Sequence, residues 1–190
     1  YPHDVWLYLL ACGWSRIGQE EHLMPRAGFV GDELGSALIG SRLVRDIMSL
    51  CFLMEKRCAP YPKWFGSAFQ RLTCAPAFTP SLRRAQLAET WQARESALCE
   101  AYTLLARKHN ALGFTDPLPE VSSFHGRPFQ VIHAERFCAA IIAKISDPEV
   151  KRIAEKGLIG SLDQFSDNTD LRSAVRWRPG VRDLFGSPLA

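Results

Sequence analysis

Apolar residues recur at helical spacing along most of this chain, and one stretch departs from that spacing by being apolar all round. From Ile47 to Met54 eight consecutive residues carry no charge. A helix with no polar face must be enclosed by other helices. Asp32 stands where a helix cap belongs, and the pattern predicts a central helix from there to about Arg57. Charged residues bracket the apolar run: Arg42, Arg45 and Asp46 before it, Glu55, Lys56 and Arg57 after it. Within the helix Arg42 and Asp46 have the spacing of an ion pair, and Glu55 can pair with Lys56 or Arg57. Pro60-Tyr61-Pro62 then breaks the helix. Pro62 suits the first turn of another, running to about Leu72 with Lys63 and Trp64 at its start.

The rest of the chain is laid out around this element. Pro2 opens a helix reaching about His22, with Trp6, Leu9, Leu10, Gly13, Trp14 and Ile17 as its buried stripe and Glu20, Glu21 and His22 as its polar end. Gly13 in that stripe suits close approach by another helix. Pro25 to Gly31 reads as a connection. Thr79-Pro80 reads as a cap and first turn of a brief helix through Leu87, preceded by a loop holding Pro76. Thr90 caps a long helix with Trp91, Leu98, Ala101, Tyr102, Leu105 and Leu112 facing inward and Gly113 as its stop. Pro117, Pro119 and Pro128 forbid a continuous helix between Thr115 and Ile132, leaving at most a short extended segment near 128–132. Ala134 to Ile145 is helical again, and Asp147-Pro148 starts a further helix that stops at Gly157. The tail from Leu158 is polar and mixed, with Pro179-Gly180 as a turn. These elements predict an all-α fold: one compact multi-helix domain of about seven helices around the central apolar one, spanning residues 1–190.

Composition narrows the function classes. The 190 residues suffice for one domain with a proper core and are few for two. A net charge of +3 is too small to argue for nucleic acid. Val5 to Trp14 is apolar but too short to span a bilayer and lacks the basic flank of a signal peptide, so no membrane partner and a cytoplasmic location are expected. Cys12, Cys51, Cys58, Cys74, Cys99 and Cys138 form no C-x-x-C pair and sit mostly among apolar helical residues, as reduced core thiols would. The chain begins with Tyr and enters a helix at once, as a piece of something longer would.

Candidate chemistry is sparse. Gly-Ser occurs at residues 35–36, 40–41, 66–67, 160–161 and 186–187. A polymerase-β-type nucleotidyltransferase needs such a turn followed by aspartates at alternate positions, which hold two metal ions. Asp163, Asp167 and Asp170 follow Gly160-Ser161 without that spacing, so no catalytic residue and no metal ligand is assigned. Arg127 and His133 have the R-x5-H spacing of certain RNA-cleaving helical domains. That signature needs both side chains on one helix face, and Pro128 argues for extended backbone. The remaining candidates are the charged groups around the central helix, although most such groups in helical domains do no more than fix packing. Lys63 and Trp64 are the better placed, a cation and an aromatic ring just beyond a rigid turn.

The segments YPHDVWLYLLACGW, GDELGS, RLVRDIMSLCFLMEKRCAPYPKWFGSAF, HNALG, GRPFQVIHAERF and IGSLDQFSDNTD together resemble the family named domain of unknown function 4037, from the first residue almost to the last. Cys58 stands where that family leads one to expect Tyr, and Gly13 where it leads one to expect Gln. The resemblance implies a helical domain C-terminal to a polymerase-β-type nucleotidyltransferase-like domain of the same chain. That domain would be its partner, with a homodimer as a further possibility. It also implies ATP or another nucleotide with Mg for the parent protein, and no cofactor of this chain's own. A fold-level likeness to the helical domains of aminoglycoside nucleotidyltransferases implies phosphate contacts from Arg45, Arg57 and Lys63. By the same likeness Glu20 or Glu21, with Trp64, would meet the acceptor. The function so implied is an accessory, substrate-binding domain that closes a cleft. The alternatives are a protein-interaction or dimerisation module and, on Arg127 and His133 alone, an RNA-cleaving domain.

Overall fold

The computed structural model describes residues 1–186; Ser187 of the last Gly-Ser pair lies outside the described residues. In chain order the elements are α1 (His3–Glu20), α2 (Leu23–Phe29), α3 (Glu33–Met54), α4 (Pro62–Phe69), α5 (Ala75–Leu87), α6 (Trp91–Ala111), β1 (Ser122–Ser123), β2 (Gln130–Val131), α7 (Ala134–Ile142), α8 (Pro148–Lys156), α9 (Leu162–Phe165), α10 (Thr169–Ser173) and α11 (Arg178–Gly186). A single 3-10 turn, Val175–Trp177, precedes α11. The fold is all-α, and its strands form one antiparallel pair of two residues each, with Ser122 opposite Val131.

The apolar run of α3 is enclosed as its sequence requires. Ile47, Leu50, Cys51, Phe52 and Met54 are buried, and α1, α2, α5 and α6 all pack on this helix. Asp32 Oδ1 accepts from the Gly35 N–H at 2.7 Å, satisfying one of the first-turn donors that a helix cannot pair internally. Thr90 and Asp147 cap α6 and α8 in the same way. The whole predicted stripe of α1 is buried. At Gly13 a Cβ would stand 2.8 Å from Leu50 Cδ1, so glycine is what lets α1 and α3 approach this closely. On the other side of α1, Trp14 stacks on Phe137 of α7 with ring centroids 4.0 Å apart, and His109 of α6 meets both rings edge-on. Burial takes the His109 imidazole down to about 4, so it is neutral here.

Three predicted boundaries are corrected. Residues 25–31 are not a plain connection, because Pro25 sits in the first turn of α2, where its missing N–H costs nothing. The helix that ends at Leu87 begins at Ala75 and runs through Pro80. Pro80 leaves the Pro76 carbonyl without its helical donor, while the hydroxyls of Thr79 and Ser81 donate to the nearby carbonyls of Ala75 and Phe78, at 2.7 Å and 2.9 Å. Pro179-Gly180 lies within α11 instead of forming a turn. No cysteine is bridged: Cys12, Cys51 and Cys138 are buried, and Cys58 is exposed. No helix among the described residues is long and apolar enough to cross a membrane.

Candidate ligand cleft

A cleft of about 440 Å³ lies between α1, the C-terminal half of α3, the Arg57–Pro62 turn and the segment from Ser161 to Arg172. Its position follows from the breaks in the chain. Glu55 ends α3, Lys56 takes a left-handed conformation at φ 52°, and Pro60 and Pro62 hold the turn away from α1. Leu9, Leu50, Phe52 and Phe65 give it apolar walls.

Four arginines reach this cleft: Arg16 from α1, Arg45 from α3, Arg57 from the turn and Arg172 from α10. Asp46, Asp163 and Asp167 accompany them. Arg45 pairs with Asp167, and Arg172 Nε donates to Asp163 Oδ1 at 2.7 Å. At the floor Arg16 lies 3.6 Å from Asp46 and 3.7 Å from Glu20, while Glu20 also takes Arg42. The pairing within α3 predicted for Arg42 and Asp46 is therefore replaced by two cross-helix pairs to α1. Burial pushes Asp46 up to about 6 against the pull of the Arg16 guanidinium. Arg16 Nε, Glu20 Oε2 and Asp46 Oδ2 are buried without a hydrogen-bond partner, three such atoms in one cluster. Among the described residues no ion pair or side-chain hydrogen bond engages Arg57, which leaves its guanidinium available at the rim.

The residues singled out in the sequence are thus partly brought together. Arg45 and Arg57 face one cleft. Lys63 and Trp64 lie on the exposed side of α4, with the Lys63 ammonium 5.0 Å from the Trp64 ring, next to Pro62 and Phe65 of the cleft wall. Glu20 stands at the edge of the floor cluster. Glu21 is turned the other way: it accepts from the N–H groups of Ile132, His133 and Ala134 at 2.7, 3.1 and 3.0 Å, at the N-terminus of α7. Burial pushes its carboxyl up to about 7 despite those donors.

Glu55, predicted to pair within its own last turn, reaches across instead. Burial would raise its carboxyl. The Lys108 ammonium at 3.0 Å and the Thr73 and Cys74 N–H groups at 2.9 Å hold it at about 2. A carboxyl held below its unfolded value contributes stability above pH ~4.5 that is lost as pH falls through the folded value. Glu55→Gln is therefore expected to lower unfolding free energy by about 1–3 kcal/mol at pH 7. Its urea-denaturation curves are expected to converge on those of the parent chain as pH approaches 2.

Arg127 and His133 do not share a helix face. Arg127 lies in the exposed turn between β1 and β2, while His133 is buried, left-handed at φ 57° and bonded through Nε2 to the Ser123 carbonyl at 3.2 Å. Among the described residues no three His, Cys, Asp or Glu side chains group as a metal site. The cleft aspartates are each engaged by an arginine.

No curated protein and no solved structure matches the chain. The family model described as Domain of unknown function (DUF4037) matches residues 1–65, about a third of the chain. The matched span covers α1 to α3 and ends inside α4, so it contains Arg16, Arg45, Asp46 and Arg57 and excludes the segment with Asp163, Asp167 and Arg172. The likeness read in HNALG and the later segments stands on those residues alone. Over residues 1–65 the chain is similar to the DUF4037 family.

Proposed function

We propose that this helical domain binds substrate for a nucleotidyltransferase-like protein and holds the phosphates of ATP or another nucleotide at the arginine cleft. The observation that carries this reading is the convergence of Arg16, Arg45, Arg57 and Arg172 on one concave surface. Guanidinium groups match phosphate oxygens with paired N–H donors, and low-dielectric apolar walls strengthen the attraction. Arg57, without a carboxylate partner, makes the first contact, and Lys63 on α4 extends the positive rim. The floor around Asp46 and Glu20 offers acceptor atoms to a donor group of the second substrate. Magnesium comes with the nucleotide, and the reacting groups belong to a companion domain. The role of this chain is positioning.

In the full-length protein, Arg57→Ala is expected to weaken nucleotide binding about 10- to 100-fold, the range for losing one charge-assisted contact. Lys63→Ala should weaken it in the same direction. Both residues are exposed, so melting temperatures should hardly move. Calorimetric titration checks this, and lowered stability with unchanged binding would make these residues structural.

A docking role is the second reading, and one surface favours it. Phe29, Val30, Leu34 and Leu38, at the junction of α2 and α3, are each more than half exposed. Replacing Leu34 and Leu38 together by Asp leaves nucleotide binding intact on the first reading. On the second it abolishes self-association or partner binding in sedimentation.

A further inference from the structure

Beyond α8 the chain returns across the cleft as a strap with a firm end and a loose one. Gly157 and Gly160 make the return, at φ 145° and 80°, conformations that a side chain would strain. Past them the strap is tied to α1. The Gly160 N–H donates to Tyr8 Oη at 3.3 Å, and Gln164 Nε2 donates to the Leu9 carbonyl at 2.9 Å. Ser161 and Gln164 complete a reciprocal capping box that fixes α9.

Toward the far end an ion pair ties the strap to α3. Asp167 pairs with Arg45, with the aspartate side chain 73% exposed and the arginine 41%. Exposed pairs of this kind are weak and are screened by salt. Arg172 pairs with Asp163, so that pair lies wholly within the strap and moves with it. Arg45 is therefore the cleft arginine whose partner can leave without disturbing the anchor at Gln164.

We propose that the segment Ser161–Arg172 is an internal competitor for the cleft, in which the Asp167 carboxylate occupies Arg45 until a phosphate group of the ligand displaces it. This rests on the reading of the cleft as a phosphate site. It deepens that reading by giving the site its own regulator. A multiply charged anion outcompetes a single carboxylate for a guanidinium, and Arg57 offers it a first foothold. Displacement frees the acidic end of the strap while Gln164 keeps the segment near the cleft.

The test is calorimetric titration of the full chain with inorganic tripolyphosphate, using the parent chain, Asp167→Asn, Arg45→Ala, the double variant and Arg57→Ala. Asp167→Asn should bind about three- to fivefold tighter than the parent, the gain from removing one exposed competitor. In the Arg45→Ala background the same change should give no gain. Equal affinity of the parent and Asp167→Asn, with Arg57→Ala still weaker, overturns the strap and leaves the phosphate site standing. A gain of full size in the Arg45→Ala background also overturns it, since the effect would then be general charge. Failure of tripolyphosphate to bind any variant overturns both ideas together.

Discussion

Glu21→Ala is expected to destabilise the chain by about 3–6 kcal/mol, since each buried donor left unpaired costs roughly 1–3 kcal/mol. The carboxylate lies at the end of α1, 111 residues before the first of its partners, and it serves the N–H groups of Ile132, His133 and Ala134. These open α7, the helix that packs most closely on α1. His133 takes no part in capping with its own side chain and is held left-handed in the turn. Glu21 therefore does at long range what an N-cap does locally. Glu21→Gln should recover part of the loss, because one amide oxygen in the place of Oε2 can keep the Ile132 and His133 donors while the amide NH2 faces the Ala134 N–H. The pH dependence carries its own sign. With a folded value near 7 against 4.5 unfolded, the protonated carboxyl favours the fold. That contribution is full below about pH 4.5 and lost as pH rises through 7. Chemical denaturation of the parent and Glu21→Gln at pH 5 and 8 reads it, with a smaller change between the two pH values in the variant.

Arg94→Ala ranks second, at roughly 3–5 kcal/mol, from the Ser36 hydroxyl and Ala88 carbonyl left short of a donor and the buried arginine stem lost from the core. Arg94 is buried in α6 and joins it to the start of α3: it donates to Ser36 Oγ at 2.7 Å and to Glu33 Oε2 at 3.3 Å. A third bond goes to the Ala88 carbonyl at 2.7 Å, and Glu33 also accepts from the Trp91 N–H at 3.0 Å. The arginine stem lies over Gly40, where a Cβ would come within 2.5 Å of Arg94 Cδ. GDELGS is thus a structural knot, with Asp32 capping, Glu33 and Ser36 binding Arg94, and no part in the cleft. Arg94→Lys should keep little of the stability, since one ammonium cannot reach three acceptors set out for a planar fork. At ~2–4 °C per kcal/mol for a chain of this size, the melting temperature of Arg94→Ala should fall by about 10 °C.

What the sequence discloses and what it hides divide along contact range. The central helix could be read because Ile47 to Met54 leave no polar face, and Asp32, Thr90 and Asp147 act as caps through donors two or three residues away. Prolines misled where they sit in a tolerated first turn, as Pro25 does, or inside a helix that continues past them, as Pro80 does in α5. Arg42 and Asp46 have the spacing of a helical pair, yet α1 presents Glu20 and Arg16 to them, and cross-helix partners carry no local signal. For the same reason the sequence disclosed neither the capping role of Glu21 nor the junction at Arg94. Of the cleft, Arg45 and Arg57 were visible as charges beside an apolar helix. Asp46 was visible with them, and Arg16 and Arg172 join only because α1 and the strap fold over α3.

The account turns on whether the cleft arginines receive phosphate, and side-chain NMR of the chain labelled at arginine nitrogen asks this directly. On addition of ATP, the Nε–Hε signals of Arg45 and Arg57 are predicted to move with saturation. Arg84 and Arg107, paired on the surface with Glu100 and Glu120, should stay where they are. Equal small shifts at every arginine, or none at Arg45 and Arg57, would contradict the account.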